Sequence, residues 1–398
     1  MDIIDVLDGG LLTTVQDLGR LGYQRYGVPA SGALDPFALR VANRLVGNSE
    51  DAAGLEVTLI GPRLRFLADS VIAVAGADLS PSLDGERAAT WEPFAVTTGS
   101  VLSFADANDG VRAYVAVAGG GIDVAVVLGS RSTHVRSRLG GFEGRALQAG
   151  DRLQAPSREA PRHVAARRLP QDQVPRYGHS HALRVVLGPQ ADAFTPHGVD
   201  TLLSAEYTVS GQSDRIGCRL QGPSIEHATS PDIVSDGTPN GAVQVAGDGM
   251  PMVLLADRGT TGGYTKIATV ITVDLPSLAQ SATGDTITFT AVPVDEAHAL
   301  LREREERLRR LADGPPVLFA RQRFRVAVDG VTGEVEACLV EVPETRPGPF
   351  ASGMRLETAV RVTGEQTVRS CRVAVERLEW PEAGIQPARG PGLRLAPE

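Results

Sequence analysis

The sequence predicts a mainly β chain: two β halves in series, few helices, and a small β extension at the C-terminus. Short apolar runs punctuated by glycine, proline and aspartate recur along it, as at Leu55–Leu59, Val71–Ala75, Val111–Val117, Leu183–Leu187 and Thr286–Thr290. That spacing is the signature of barrels or sandwiches. Only three stretches carry a helical period, and a segment rich in Pro, Arg, Gln and His separates the two halves without a sustained apolar pattern. At 398 residues the chain is long enough for two or three domains with cores of their own. The expected boundaries are 1–155 for the first half, 156–182 for a linker, 183–314 for the second half with its terminal helix, 317–380 for the appended β unit, and 381–398 for a disordered tail.

The clearest helix starts at Asp35. This residue is a natural N-cap, Pro36 fits the first turn, Ala38, Val41, Ala42 and Leu45 recur at helical spacing, and Gly47 closes the end. A second, short helical pattern spans Leu275–Ser281. The third, Asp295–Asp313, carries a face of Arg and Glu that reads as solvated, and it ends before Gly314-Pro315-Pro316. Beyond it, alternating residues such as Phe324, Val326 and Val328, then Val335–Val342, suggest strands.

Composition narrows the function classes. A net charge of −9 argues against a nucleic-acid surface. Cys218, Cys338 and Cys371 are odd in number, far apart and without C-x-x-C pairing, which suggests neither a disulfide framework nor a zinc site and fits a reducing cytoplasm. The stretch Met1–Asp5 lacks the basic and apolar regions of a signal peptide, so neither secretion nor membrane insertion is expected. The seven histidines are scattered and no H-E-x-x-H occurs, so no metal site is expected. P-loop and G-x-S-x-G patterns are absent as well.

The stretch Asp257–Val270 lies between two apolar runs, Met252–Ala256 and Ile267–Val273. Its glycines offer exposed backbone N–H groups, its threonines and tyrosine add directional hydrogen bonds, and Lys266 is the only lysine of the chain. A site here would use Lys266, with Asp257, Thr260, Thr261, Gly262, Gly263 and Tyr264, to bind the anionic or oxyanion-bearing part of a substrate. The plainer reading is a glycine-rich hairpin whose rim lysine pairs with a carboxylate. Three further polar loops add candidates. Thr13–Arg20 contributes Gln16, Asp17 and Arg20, whose alternative is a structural Asp17–Arg20 ion pair. Ser210–Gly217 contributes Ser213, Asp214 and Arg215, and Val234–Gly241 contributes Asp236. Asp35 is a fifth candidate, although its capping role already explains it. Lys266, Asp17 and Asp236 are expected to carry the chemistry, and the other residues to bind substrate.

Taken in order, these loops resemble the biotin-dependent carboxyltransferase family. The resemblance rests on Thr13-Thr14-Val15-Gln16-Asp17, Gly32-Ala33-x-Asp35, Leu55-Glu56-x-Thr58, Gly129-Ser130-Arg131-Ser132-Thr133, Ser213-Asp214-Arg215-x-Gly217 and Thr260-Thr261-Gly262-Gly263-Tyr264. It runs from about Asp5 to about Leu311, and it is specific because the order of all the motifs agrees. The resemblance implies two cyclophilin-like β-barrel subdomains, A and B. It also implies the C-type component of an ATP-dependent 5-oxoprolinase-like amidohydrolase that opens 5-oxoproline to glutamate, with ATP as co-substrate. The implied partners are a C/D-type carboxyltransferase protein, which is the B-type component of 5-oxoprolinase, together with the A-type component. Two alternatives stay open: transfer of a carboxyl group from carboxybiotin on a partner to a urea-like amide, and a non-catalytic regulator that binds a kinase inhibitor. The chain departs from the family pattern at Gly259, Thr265 and Ala246, where glutamine and two prolines are usual. Covalent biotin needs a lysine on a hairpin, and none follows Lys266.

Overall fold

The computed structural model describes residues 2–157, 169–312, 318–328, 331–341 and 355–356. Both β halves belong to one compact unit. A three-stranded antiparallel sheet, Leu318–Val328, Val331–Glu341 and Arg355–Leu356, lies in a second unit. The remaining runs expected within 317–380, and the tail 381–398, fall outside the described residues.

The first half wraps two sheets around one core. One sheet has six strands with Asp2–Asp8 paired between Arg152–Gln154 and Arg63–Phe66; the other has five, with Asp109–Val117 paired between Gly54–Thr58 and Ser70–Asp78. Alternation puts Val15, Leu55, Val57, Phe66, Ile72, Val74 and Val115 on the inner faces, all fully buried. The second half closes into a seven-stranded barrel. Its strands run Ser180–Leu187, Thr286–Ala291, Tyr207–Val209, Gly217–Gln221, Pro251–Leu254, Ala242–Val245 and Thr261–Val270, and the last returns to pair with the first. All neighbours are antiparallel except Ser180–Leu187 with Thr286–Ala291. Closure removes the sheet edges that would otherwise invite pairing. The strand Thr261–Val270 is long enough to overhang the barrel, and its first residues pair with an outer strand, Asp232–Gly237.

Helix Pro36–Leu45 forms as its sequence pattern predicts. Asp35 accepts a hydrogen bond from Ala38 N at 2.9 Å, and Gly47 adopts φ +78° beyond the end. Leu275–Ala279 and Val294–Ala312 are also helical. A fourth helix, Pro196–Ser204, was not expected. Thr195 caps it by accepting from Gly198 N at 3.0 Å, and Pro196 opens it, so the start signal is present in a segment whose few apolar residues hide the period.

The charged face of Val294–Ala312 is not wholly solvated. Glu305 takes a two-point hydrogen bond from Arg40 (2.7 and 2.6 Å), which fastens this helix to Pro36–Leu45, and Leu308 is buried. The two halves meet over a buried polar seam. Arg215 binds Glu56 through Nη1 and Asp257 through Nε and Nη2 (2.9 and 3.1 Å), and it donates to Gly32 O at 2.7 Å. Tyr114 Oη donates to Glu56 at 2.8 Å and accepts from Asp35 N at 2.8 Å.

Candidate functional site

Lys266 sits where the barrel strand Thr261–Val270 leaves the barrel. Its partner strand Ala242–Val245 places Gln244 opposite it, and the outer strand brings Asp236 opposite Gly262. The ammonium lies 3.0 Å from Asp236 Oδ2. Burial splits this pair: the Lys266 side chain is 3 % exposed and that of Asp236 is 55 % exposed. The hydrogen bond from Lys266 holds the Asp236 carboxyl below its usual range, aided by the backbone N–H of Gly237, so Asp236 stays ionised at neutral pH. Gln190 Oε1 accepts from Lys266 N at 3.2 Å, Gln244 Nε2 donates to Tyr264 O at 3.4 Å, and the Tyr264 ring is exposed above them.

The glycines act differently from the expectation. The stretch is not a loop between two core runs; from Thr261 onwards it is strand. Neither Gly262 nor Gly263 has a left-handed φ. Gly262 is favoured by close approach, because a Cβ there would lie 2.5 Å from Gln244 Nε2 and displace that side chain. Gly263 has ordinary space around it.

The same stretch of sequence holds a second buried cation that the sequence pattern does not single out. Arg258 is 6 % exposed and donates only to carbonyls, Thr238 O at 2.7 Å and Leu255 O at 3.2 Å. Burial pushes its pKa down from the ordinary arginine value, and no carboxylate pairs with it among the described residues. Thr238, which accepts through its carbonyl from Arg258, follows directly on the Asp236 strand and also donates to Gly259 O. A signal exists in that Arg258 adjoins the Gly259-Thr260-Thr261 run, but alone it reads as an ordinary surface charge.

The other candidates fall into separate places. Asp17 and Arg20 do not pair with each other. Asp17 accepts from Ser130 Oγ (2.7 Å), Gly19 N (2.8 Å), Ser132 Oγ and Arg131 N, while Arg20 donates to Ser132 O (2.6 Å) and Val127 O (3.2 Å). Both therefore clamp the Val127–Ser132 loop, and Arg20 is 1 % exposed. Burial lowers the Arg20 pKa, against the fields of Asp17 and Asp257. Gln16 is fully buried and donates to Thr14 Oγ1 and Thr133 O. Arg215 and Asp257 are locked in the seam rather than lining an open cleft. Ser213 and Asp214 shape a turn, with Asp214 accepting from Ile216 N at 2.7 Å and Ser213 Oγ accepting from Arg219 N at 3.0 Å. Asp35 is fully buried, with Ala38 N, Tyr177 Oη and Gln280 Nε2 on its oxygens, and burial raises its pKa. The capping role replaces the binding role expected for it. Around the buried Lys266, Asp236 and Tyr264 are exposed, with Thr260 and Thr261 at the edge of the group.

A seven-stranded barrel of this order, joined through a buried seam to a second β half, defines a carboxyltransferase-type module. The chain belongs to the family described as carboxyltransferase domain, subdomain A and B, whose model matches residues 26–291. It is 38% identical over 314 residues to the C subunit of Haemophilus influenzae 5-oxoprolinase, covering 78% of this chain and 99% of that one. Against the C subunit of Escherichia coli 5-oxoprolinase it is 36% identical over 310 residues, covering 78% and 98%. Among solved structures, the Kluyveromyces lactis urea carboxylase superposes with a TM-score of 0.74 at 30% identity, over 86% of this chain and 34% of that one. This chain thus spans about a third of that enzyme.

Proposed function

We propose that this chain is the C-type component of an ATP-dependent 5-oxoprolinase-like amidohydrolase, working with B-type and A-type partner proteins in the cytoplasm to open 5-oxoproline to glutamate. The observation that carries the reading is the match to two 5-oxoprolinase C subunits over almost their whole length. The buried Lys266 ammonium, paired with the exposed Asp236, supplies a donor that can meet negative charge developing on an amide oxygen.

In this reading the Lys266 ammonium stabilises negative charge on the lactam oxygen as the ring carbonyl is attacked, and the low exposure of its side chain strengthens that field. Asp236, ionised and partly solvated, orients the ammonium. Tyr264 and Thr261 border the entrance. Phosphorylation by ATP would make the poorly electrophilic lactam reactive. The residues around Lys266 do not fit a magnesium triphosphate, since they include no P-loop pattern and no metal-holding cluster occurs among the described residues. We therefore assign nucleotide binding to a partner protein and route no step through it here. The family's other chemistry, carboxyl transfer from carboxybiotin on a partner, would use the same oxyanion donors and is the second reading, supported by the likeness to urea carboxylase.

Reconstitution decides between them. The chain, combined with its partner proteins and ATP, should release glutamate from 5-oxoproline and leave urea untouched. Turnover with urea and carboxybiotin alone would refute the proposal.

A further inference from the structure

A cleft of about 240 Å³ opens on the side of the first unit formed by helix Val294–Ala312, and it shares no residue with the Lys266 group. That volume holds about eight waters at roughly 30 Å³ each, the size of a small organic molecule. Phe37, Leu169 and Leu308 give it apolar walls, and Arg176, Arg304 and Arg307 give it three guanidinium groups.

The charges of this cleft are not balanced internally. Arg304 donates through Nη1 to Thr272 O at 3.1 Å, but its Nε is buried and finds no hydrogen-bond partner among the described residues. Leaving a buried donor of this kind unpaired is costly. The neighbouring acid, Glu305, is committed to Arg40. The acid at the cleft floor, Asp35, already accepts from Ala38 N, Tyr177 Oη and Gln280 Nε2. Arg176 has no ion pair among the described residues, and Arg307 holds only an exposed partner, Glu303. Burial pushes the Arg304 pKa down, against the fields of Glu305, Asp35 and Asp274.

We propose that this cleft is a second binding site, for a small organic carboxylate whose apolar body fills the walls and whose carboxylate docks on Arg304. Arg304, Arg307 and Arg176 all line the cleft and supply the guanidinium donors that a carboxylate takes. Inorganic phosphate suits the site less well, because it has no apolar body to fill the walls. Nothing in the proposal depends on the chemistry at Lys266.

Calorimetric titration of the full chain with valerate, valeramide and inorganic phosphate tests it. Valerate should bind with one-to-one stoichiometry, and valeramide and phosphate at least about tenfold more weakly. Arg304→Met should weaken valerate by about tenfold or more. If that variant unfolds, Arg307→Gln should weaken binding and Ser277→Phe, which fills the cleft without removing a charge, should abolish it. The proposal is overturned by the absence of saturable valerate binding, by equal binding of valeramide or phosphate, or by wild-type affinity in a folded Arg304→Met or Ser277→Phe protein.

Discussion

Lys266 Nζ and Asp236 Oδ2 are 3.0 Å apart, yet the lysine side chain is 3 % exposed and the aspartate 55 %. The pair therefore joins the barrel interior to solvent, and its two members should respond differently to substitution. Asp236→Asn keeps an oxygen that can accept from Lys266 but removes the carboxylate paired with a buried ammonium. Its melting temperature should fall, and turnover of the assembled complex should fall too. Wild-type turnover in the folded variant would show that the pair is structural only.

Gly262 and Gly263 give a paired test. Gly262→Ala drives a Cβ to 2.5 Å from Gln244 Nε2, the end of a side chain that can swing aside, so the stability cost should be about 1 kcal/mol, at the low end of overpacking. Displacing Gln244 from Tyr264 O should still lower turnover. Gly263→Ala meets nothing closer than 3.7 Å and should behave as wild type in both measurements. Equal loss of activity in the two variants would contradict this account of why the first glycine is there.

At the seam, Arg215 carries the charge balance of two buried acids. Burial works against its charge, but Glu56 and Asp257 outweigh that and hold its pKa above the ordinary arginine value. Arg215→Met leaves both carboxylates buried without their cation, which should cost about 3–5 kcal/mol in urea unfolding. A loss below about 1 kcal/mol would mean that the carboxylates find other partners or become protonated at no cost.

The pH dependence of stability has one source that can be isolated. The hydrogen bonds from Arg40 hold the Glu305 carboxyl below its reference value of 4.5. A depressed acid contributes stability that is complete above the unfolded value and lost as pH falls through the folded one. Unfolding free energy should therefore drop below about pH 4.5 in wild type, and less steeply in Glu305→Gln, which at pH 7 should be less stable by about 1–3 kcal/mol. Parallel acid limbs for the two proteins would rule this pair out as a source.

Much of the fold was legible because local chemistry and tertiary structure agree. Asp35, Pro36 and Gly47 specify one helix, and alternation specifies strands such as Gly54–Thr58 and Thr286–Ala291. The candidate site was legible in part. Lys266 stood out by being the only lysine, and Asp236 by its glycine-flanked setting. Polar residue type alone does not tell an exposed loop from a buried clamp, which is why Asp17 and Arg20 read as site residues, or else as one ion pair, when both grip the Val127–Ser132 loop. Nor does it reveal partners distant in sequence: Arg215 meets Glu56 across 159 positions. Gly262 shows a further limit, since glycine signals either an unusual φ or a close neighbour, and only the position of Gln244 decides which.

The central claim is that Lys266 carries oxyanion stabilisation, and Lys266→Met tests it most directly, since methionine retains most of the side-chain length without the charge. In the complex reconstituted with its partner proteins, ATP and 5-oxoproline, the variant should assemble normally and turn over about 10²–10³-fold more slowly, the scale of losing one oxyanion donor. Turnover and substrate affinity both within about twofold of wild type, a difference of only about 0.4 kcal/mol, would contradict the account.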